Sequence, residues 1–396
     1  MSSYGGKPRL SGTDLLHADD DAAKGLEVAP SISVTTTFKQ PDAWDPKFDL
    51  AALNPSNPVR HVYSRYTQAV STRVERVLSK INQGHALTYS SGLAASYAAL
   101  VHSKPKRVAI TAGYHGCHIV LETYKRTYPE LVIIGLDDEY KEGDICWVET
   151  PLNPKGISRN IQHYADKIHA VGGRLIVDAT FGPPPLQYPF KWGTDIVLHS
   201  GTKYFGGHSD LLCGILVVKT LDEWNELWYQ RTFLGSVMGS LETWLLLRSL
   251  RTLHLRVPRQ SESATILAQW LSQASNGKGA DGIPAGVVDT VYHGSLQGKD
   301  ENGWEPSQQM EGGWNATFAF TLKSVEQATN LPHSVKLFIA ATSLGGVESL
   351  VEHRVASDPG EDPHLIRLSI GVEDVEDLKN DLRRALQNVA SAKAKL

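Results

Sequence analysis

A chain of 396 residues with 41% hydrophobic and 21% charged residues has an ordinary globular composition, with length for two or three packed domains. A formal net charge of −4 and a pI near 6.4 leave no basic surplus for nucleic acid or an anionic membrane. Cys117, Cys146 and Cys213 are too few and too scattered for a disulfide framework or a CxxC metal pair, which points to a reducing compartment.

Residues 1–50 are rich in Gly, Ser, Thr, Asp and Pro and predict an N-terminal arm. The opening MSSYGGKPRLSG lacks an apolar signal core, and no apolar run reaches the length of a membrane span, so a cytoplasmic protein is expected. From 72 to 84, TRVERVLSKINQG predicts an amphipathic helix with a glycine stop. Then ALTYSSG leads into the helix LAASYAALVHS, and RVAIT, LVIIGL and DICWVET follow as buried strands. The helix IQHYADKIHAVGG precedes the strand RLIVDAT, and TDIVLHS precedes LLCGILVV. This alternation predicts an α/β domain over 51–245 with a largely parallel sheet. A helix over 240–256 closes it. Residues 274–313 predict loops and edge structure. The strand TFAFTL, a helix near 333–340, the strand HLIRLSIG and a final helix DVEDLKNDLRRALQNVASA then predict a smaller α+β domain over 246–396. The terminal Ala394-Lys395-Leu396 is a conservative variant of the Ser-Lys-Leu peroxisomal address, which keeps a peroxisomal alternative open.

Four segments carry candidate chemistry. In LHSGTKYFGGHSDLLCG (198–214), Lys203 follows a strand and precedes a glycine pair, with hydroxyls at Ser200 and Thr202. A lysine amine forms an imine with an aldehyde cofactor, and nearby hydroxyls can donate to phosphate oxygens. In RLIVDAT, Asp178 ends a buried strand, where α/β sheets place functional groups. From there it could pair with a protonated pyridine nitrogen. In TYSSGLAASYAAL (88–100), strand, Ser-Ser-Gly and helix form a phosphate cradle of amides. In VYSRYTQ (62–68), Tyr63 and Arg65 could reach a phosphate. Taken singly, these segments read equally well as a solvated lysine in a polar turn, a helix N-cap aspartate, a common turn and an exposed loop.

Together and in order, the segments resemble the Cys/Met-metabolism family of pyridoxal-phosphate (PLP) enzymes: the transsulfuration group of cystathionine γ-synthase, the cystathionine lyases and methionine γ-lyase. The resemblance runs from about 28 to 385 through VAPSISVTTTF, YSR, SSGLAA, ETPLNP (149–154), VDAT, HSGTKYFGGHSD, TWLLLRSLRTLHLR, SLGGVESLVEH (343–353) and HLIRLSIGVEDVEDL (364–378). It implies the PLP-dependent transferase fold (aspartate-aminotransferase-like, fold type I), with pyridoxal 5'-phosphate as cofactor. Lys203 would hold the cofactor as an imine and move substrate protons, and Asp178 would face the pyridine nitrogen. The phosphate would meet Ser91, Gly92, Leu93, Ser200 and Thr202, with Thr180 also among the cofactor contacts. Tyr114 would stack on the ring and act as a catalytic group. Asn153 would touch ring oxygen and substrate carboxylate, Arg367 would clamp that carboxylate, and Ser343 and Thr342 would line the substrate side. Tyr63 and Arg65 would reach the phosphate of a neighbouring subunit, which implies a homodimer at least and in this family usually a homotetramer. His115 and His118 beside Tyr114 invite a metal reading, but no third ligand has suitable spacing. Glu348 and His353 read as structural partners.

The chain departs from the family pattern at Gln68-Ala69-Val70, at Ala179 after the aspartate, and at Thr342, where several relatives carry glutamate. The connection between Glu352-His353 and Leu365 is also short. These changes leave the cofactor residues intact and alter the substrate walls. The resemblance therefore implies β- or γ-elimination on a sulfur-containing amino acid such as cystathionine. The alternative is γ-replacement, which joins an O-acyl-homoserine to a thiol or another nucleophile. Both would use the same residues.

Overall fold

The computed structural model describes residues 3–4, 7–8, 10–23, 25–40 and 54–392; the terminal Ala-Lys-Leu lies outside them. The short strands β1 (Ser3–Tyr4) and β2 (Lys7–Pro8) pair with each other. Where composition predicts only an arm, Gly12–His17 form helix α1, capped by the Ser11 hydroxyl, which accepts from Asp14 N at 3.1 Å. Its Leu15 is fully buried. Behind it the buried Asp19 carboxylate is gripped by Arg73 (2.6 Å) and by both Nη atoms of Arg251 (2.8 and 2.9 Å), which fixes this segment to the body.

Helix α2 (Ala69–Asn82) leads to β3 (His85–Tyr89), then α3 (Gly92–Ser103), β4 (Arg107–Ala109), α4 (His115–Thr127), β5 (Val132–Ile134) and β6 (Ile145–Glu149). Helix α5 (Ile161–His169), β7 (Arg174–Asp178), β8 (Ile196–Ser200) and β9 (Gly214–Val218) follow. The seven strands lie in the order β3-β9-β8-β7-β6-β4-β5. Six run in one direction, and only β9 opposes them, antiparallel to both of its neighbours. Alternation explains the two-sided burial, because successive strand residues face opposite layers. Leu87, Trp147, Ile176, Leu198 and Leu216 pack with α3 and α4, while Val148, Val177, Val197 and Val217 pack with α2 and α5.

The sequence predicts no helix over 221–234, yet α6 (Leu221–Leu234) is there, and its signals are local. Thr220 accepts from Glu223 N at 3.2 Å, a capping box, and Gly235 closes the helix at φ 74°. The single helix predicted over 240–256 is two: α7 (Ser240–Leu250) and α8 (Leu253–Ser272). Pro258 reads as a stop, but it removes one intrahelical bond, while Val257, Ala264, Leu267 and Leu271 bury a face that holds the helix together.

The second sheet contains β10 (Val288–Tyr292), β11 (Thr317–Leu322), β12 (Ile339–Ala340), β13 (Leu350–His353) and β14 (Leu365–Ser369), in the order β10-β11-β14-β13-β12. The short α9 (Pro306–Gln309) precedes β11. The helix predicted near 333–340 lies instead at Val325–Ser334 (α10), started by Ser324, which accepts from Gln327 N at 3.3 Å. Helix α11 (Val375–Ala392) covers the sheet. Among the described residues no helix is long and apolar enough to cross a membrane.

Candidate active site

Three parallel strands end side by side and supply the floor of a cavity of about 520 Å³. Strand β6 ends in Glu149, β7 in Asp178 and β8 in Ser200, with Glu149 and Asp178 in direct register. Carboxyl ends of parallel strands are where open α/β sheets hold ligands. Asp178 Oδ1 accepts from Thr180 N (3.0 Å) and Thr180 Oγ1 (2.6 Å), which fixes the carboxylate. Burial pushes its pKa up against those two hydrogen bonds. Glu149 is also pushed up, first by burial and then by the Asp178 carboxylate, while it accepts from Tyr114 N and Asn153 N, each at 2.7 Å. One carboxylate thus ties two site loops to the sheet. Gly113 serves the same contact: its φ is 90°, and a Cβ would meet Glu149 Oε2 at 2.7 Å.

An anion cradle adjoins the floor. Ser90 and Ser91 turn the chain from β3 into α3, and the Ser91 hydroxyl accepts from Ala94 N at 3.1 Å. The amides of Gly92 and Leu93 open the helix, where its dipole favours negative charge. A Cβ on Gly92 would come within 3.3 Å of Ser200 Cβ and Oγ, so a side chain there would push the Ser200 turn back by a few tenths of an ångström. Thr202 Oγ1 accepts from Cys213 N at 2.9 Å and has Cys213 O at 3.4 Å. Its acceptor side is anchored, and its proton can be donated to a nearer oxygen.

Lys203 sits in the turn after β8, with Gly207 N donating to its carbonyl at 2.7 Å. Its Nζ donates to Ser343 Oγ at 3.0 Å. Burial, and after it the Arg367 charge, bring the amine down to about 8, so about a tenth of it is neutral at pH 7. Ser343 adopts φ 85°, a sparsely populated conformation for a residue with a side chain. There its hydroxyl meets Lys203 and its carbonyl accepts from Arg367 Nη2 at 3.0 Å. Arg367, buried on β14, also donates to Asn153 Oδ1 at 3.0 Å and pairs with Glu352 on β13. Burial brings even this guanidinium down to about 10, against the pull of Glu352.

The cavity collects Ser91, Gly92, Leu93, Tyr114, Asn153, Asp178, Thr180, Ser200, Thr202, Lys203, Thr342, Ser343 and Arg367. It does not collect Tyr63 or Arg65: Arg65 Nη1 donates to Thr232 O at 2.8 Å, its guanidinium lies 5.3 Å from the Tyr63 ring, and neither side chain lines the cavity. His118 bonds Ala112 O at 2.9 Å, and among the described residues no cluster of three metal-ligating side chains occurs. Sequence reasoning missed Glu149, although it sits inside the quoted ETPLNP, and it missed Glu352 and Arg354. Glu149 could have been found from its place one strand over from Asp178; Glu352 depends on register across the second sheet, and Arg354 on Glu352, two residues before it.

Comparison with known proteins agrees with this geometry. A family model described as Cys/Met metabolism PLP-dependent enzyme matches residues 12–387. A cystathionine gamma-lyase of Dictyostelium discoideum is 30% identical, with 95% of this chain and 97% of that protein covered. A Bacillus subtilis protein named cystathionine gamma-synthase/O-acetylhomoserine (thiol)-lyase is 30% identical over 83% of this chain and 86% of its own. Among solved structures, an apo methionine gamma lyase from Micromonospora echinospora superposes with a TM-score of 0.81 at 30% identity, covering 95% of this chain and 98% of that one.

Proposed function

The chain belongs to the Cys/Met-metabolism family of PLP-dependent enzymes, and on that premise we propose that it cleaves a carbon–sulfur bond of an amino acid by β- or γ-elimination. The observation that carries the reading is the meeting of Lys203, Asp178 and Arg367 in one cavity, with the lysine amine lowered to about 8. The site fits pyridoxal 5'-phosphate. A buried carboxylate at the end of β7 suits a pyridinium nitrogen, and the glycine-narrowed helix start facing Ser200 suits a phosphate. When bound, the cofactor supplies an electron sink for the bond-breaking at the substrate α-carbon.

The protein's own residues do the rest. Lys203 would anchor the cofactor, and its amine would take and return protons at the substrate carbons, a task matched to an amine near neutrality. Asp178, held by Thr180, keeps the ring nitrogen charged. Ser91, Gly92, Leu93, Ser200 and Thr202 grip the phosphate and so fix the ring position. Tyr114 at the mouth would lie against the ring and could protonate the departing group. Arg367 and Asn153 orient the α-carboxylate, with Ser343 and Thr342 beside them.

A second copy of the chain completes this reading. Tyr63 and Arg65, outside their own cavity, serve the neighbouring subunit's phosphate in a homodimer or a tetramer built from such dimers. Exposed Leu93, Tyr114 and Leu212 at the mouth support such a covered face. Mass measurement in solution tests this, and a monomer with full activity would refute it.

Product analysis tests the reaction. Given L-cystathionine alone, a lyase releases ammonia with either pyruvate and homocysteine or 2-oxobutyrate and cysteine. The γ-replacement reading is favoured specifically by the likeness to the Bacillus synthase. It predicts no keto acid from cystathionine and a thioether formed only when O-acetyl-homoserine and a thiol are both present.

A further inference from the structure

The carboxylate clamp is already holding a carboxylate, and that carboxylate has a second cation waiting. Arg367 Nη2 pairs with Glu352 Oε2 across the β13–β14 register, where Glu352 and Arg367 face each other directly. The other oxygen, Oε1, accepts from Arg354 Nη1 at 3.0 Å and from the Ser357 hydroxyl. Arg354 Nη2 stands 3.7 Å from Asp358. Glu352, Arg354, Ser357 and Arg367 all line the same cavity, and the two arginines and Glu352 are each less than a tenth exposed. One buried carboxylate is therefore shared between two buried guanidiniums.

Geometry makes this sharing consequential. A guanidinium closes a two-bond fork on a carboxylate through one of its flat edges, either Nη1 with Nη2 or Nη2 with Nε. Both edges include Nη2. On Arg367 that nitrogen already faces Ser343 O at 3.0 Å and Glu352 Oε2. The Ser343 carbonyl belongs to the backbone and stays in place. Glu352 is a side chain with alternative partners, so it is the group that yields.

We propose that Glu352 is a displaceable placeholder for the substrate α-carboxylate on Arg367, and that Arg354, with Ser357, retains the Glu352 charge once the substrate takes over the clamp. Arg354 is then a positioning residue acting through Glu352. The arrangement keeps Arg367 compensated before substrate arrives, since a buried unpaired charge is costly, and it keeps Glu352 compensated afterwards. Arg354 and Ser357 lie in the connection between β13 and β14. The inference rests on the reading of Arg367 as the carboxylate clamp.

The test uses holoenzyme titrated with α-aminoisobutyrate, an amino acid with no α-proton to lose, and follows the absorbance of the bound cofactor to obtain Kd. KM and kcat for the preferred substrate are measured alongside. With Arg354→Leu, Glu352 is left with Arg367 as its only guanidinium partner, so Kd and KM rise about tenfold while kcat changes less. Glu352→Gln frees Arg367 and lowers Kd several-fold. In the double variant, Glu352→Gln returns Kd to the wild-type range, whereas a structural role for Arg354 would move thermal stability and leave Kd alone. Unchanged Kd in Arg354→Leu, or no relief by Glu352→Gln, overturns the proposal. Where Arg354→Leu does not fold, Glu352→Gln alone decides, and binding that fails to tighten is the overturning result. Arg367→Leu separates the two levels. Unchanged Kd there removes the clamp reading itself, while weakened Kd there with an indifferent Arg354→Leu removes only the placeholder.

Discussion

The two walls of the cavity are built from different materials. The large-sheet wall is backbone and strand ends: the α3 start, the Ser200 turn, and carboxylates set by parallel register. The second-sheet wall is a network of buried charged side chains, Arg367, Glu352 and Arg354, joined across antiparallel strands. A backbone site has one geometry and grips a constant part of its ligand, here the phosphate and ring. A side-chain network can trade partners, and so it suits the part that arrives and leaves in each turnover.

The largest test of the first wall is Lys203→Ala. It removes the cofactor anchor and the proton carrier together, a role worth about 10²–10⁴ in rate on the proton-transfer side alone. Loss of at least three orders of magnitude in kcat, with loss of the visible cofactor band, is expected by steady-state kinetics and absorbance. Retained colour and turnover would transfer both roles elsewhere. The second wall's counterpart is Arg367→Leu. Truncating one partner of a buried charged pair costs about 2–5 kcal/mol, so kcat/KM should fall roughly thirtyfold to several-thousandfold. The loss should appear mainly in KM, because the clamp holds the carboxylate before and during the reaction.

Next in size is the pH response of the protein freed of its cofactor. Burial and Arg367 lower the Lys203 amine from an unfolded value of 10.5 to about 8. The neutral amine is the nucleophile, so the rate of pyridoxal phosphate uptake should rise roughly tenfold per pH unit below 8 and level off above it. Stability moves the same way. Between about 8 and 10.5 the unfolded chain binds the proton that the folded site has lost, so stability rises with pH in that window and is constant on this account below it. Stopped-flow uptake and urea midpoints in wild type and Lys203→Met measure both. An uptake rate still rising at pH 10 would mean that the lysine is unperturbed.

How much of each wall was legible follows from its material. Strand, Ser-Ser-Gly and helix, or strand and Gly-Thr-Lys, are local sentences whose turn residues state the backbone geometry directly, and the structure puts Ser91, Gly92, Ser200, Thr202 and Lys203 together as the sequence predicts. Glu149 lay in a quoted motif but needed the β6–β7 register to reveal its two loop contacts. Glu352 was illegible because its meaning is a pairing with Arg367 across β13 and β14, a register that sequence alone does not fix, and Arg354 takes its meaning from Glu352, two residues before it. The element errors have the same origin at shorter range. Helix α8 runs on through Pro258 because its buried face outweighs the one lost bond, and α6 and α10 start at the local signals Thr220/Glu223 and Ser324/Gln327.

The smallest effect concerns the rim where the two walls meet. Thr342 precedes Ser343, lines the cavity and is exposed. A carboxylate there meets solvent, so its interaction with a substrate charge a few ångströms away is worth only about 1 kcal/mol, or several-fold in kcat/KM. The sign depends on the substrate's distal end. Thr342→Glu should slow O-succinyl-homoserine, whose distal group is an anion, several-fold more than O-acetyl-homoserine, whose distal group is neutral. The cofactor band should not change. Because the charge is exposed, raising the salt to 1 M should erase most of the difference, since screening then acts over about 3 Å. Discrimination that survives high salt would mean that residue 342 acts by shape, and that the charged network of the second wall extends no further than Arg354.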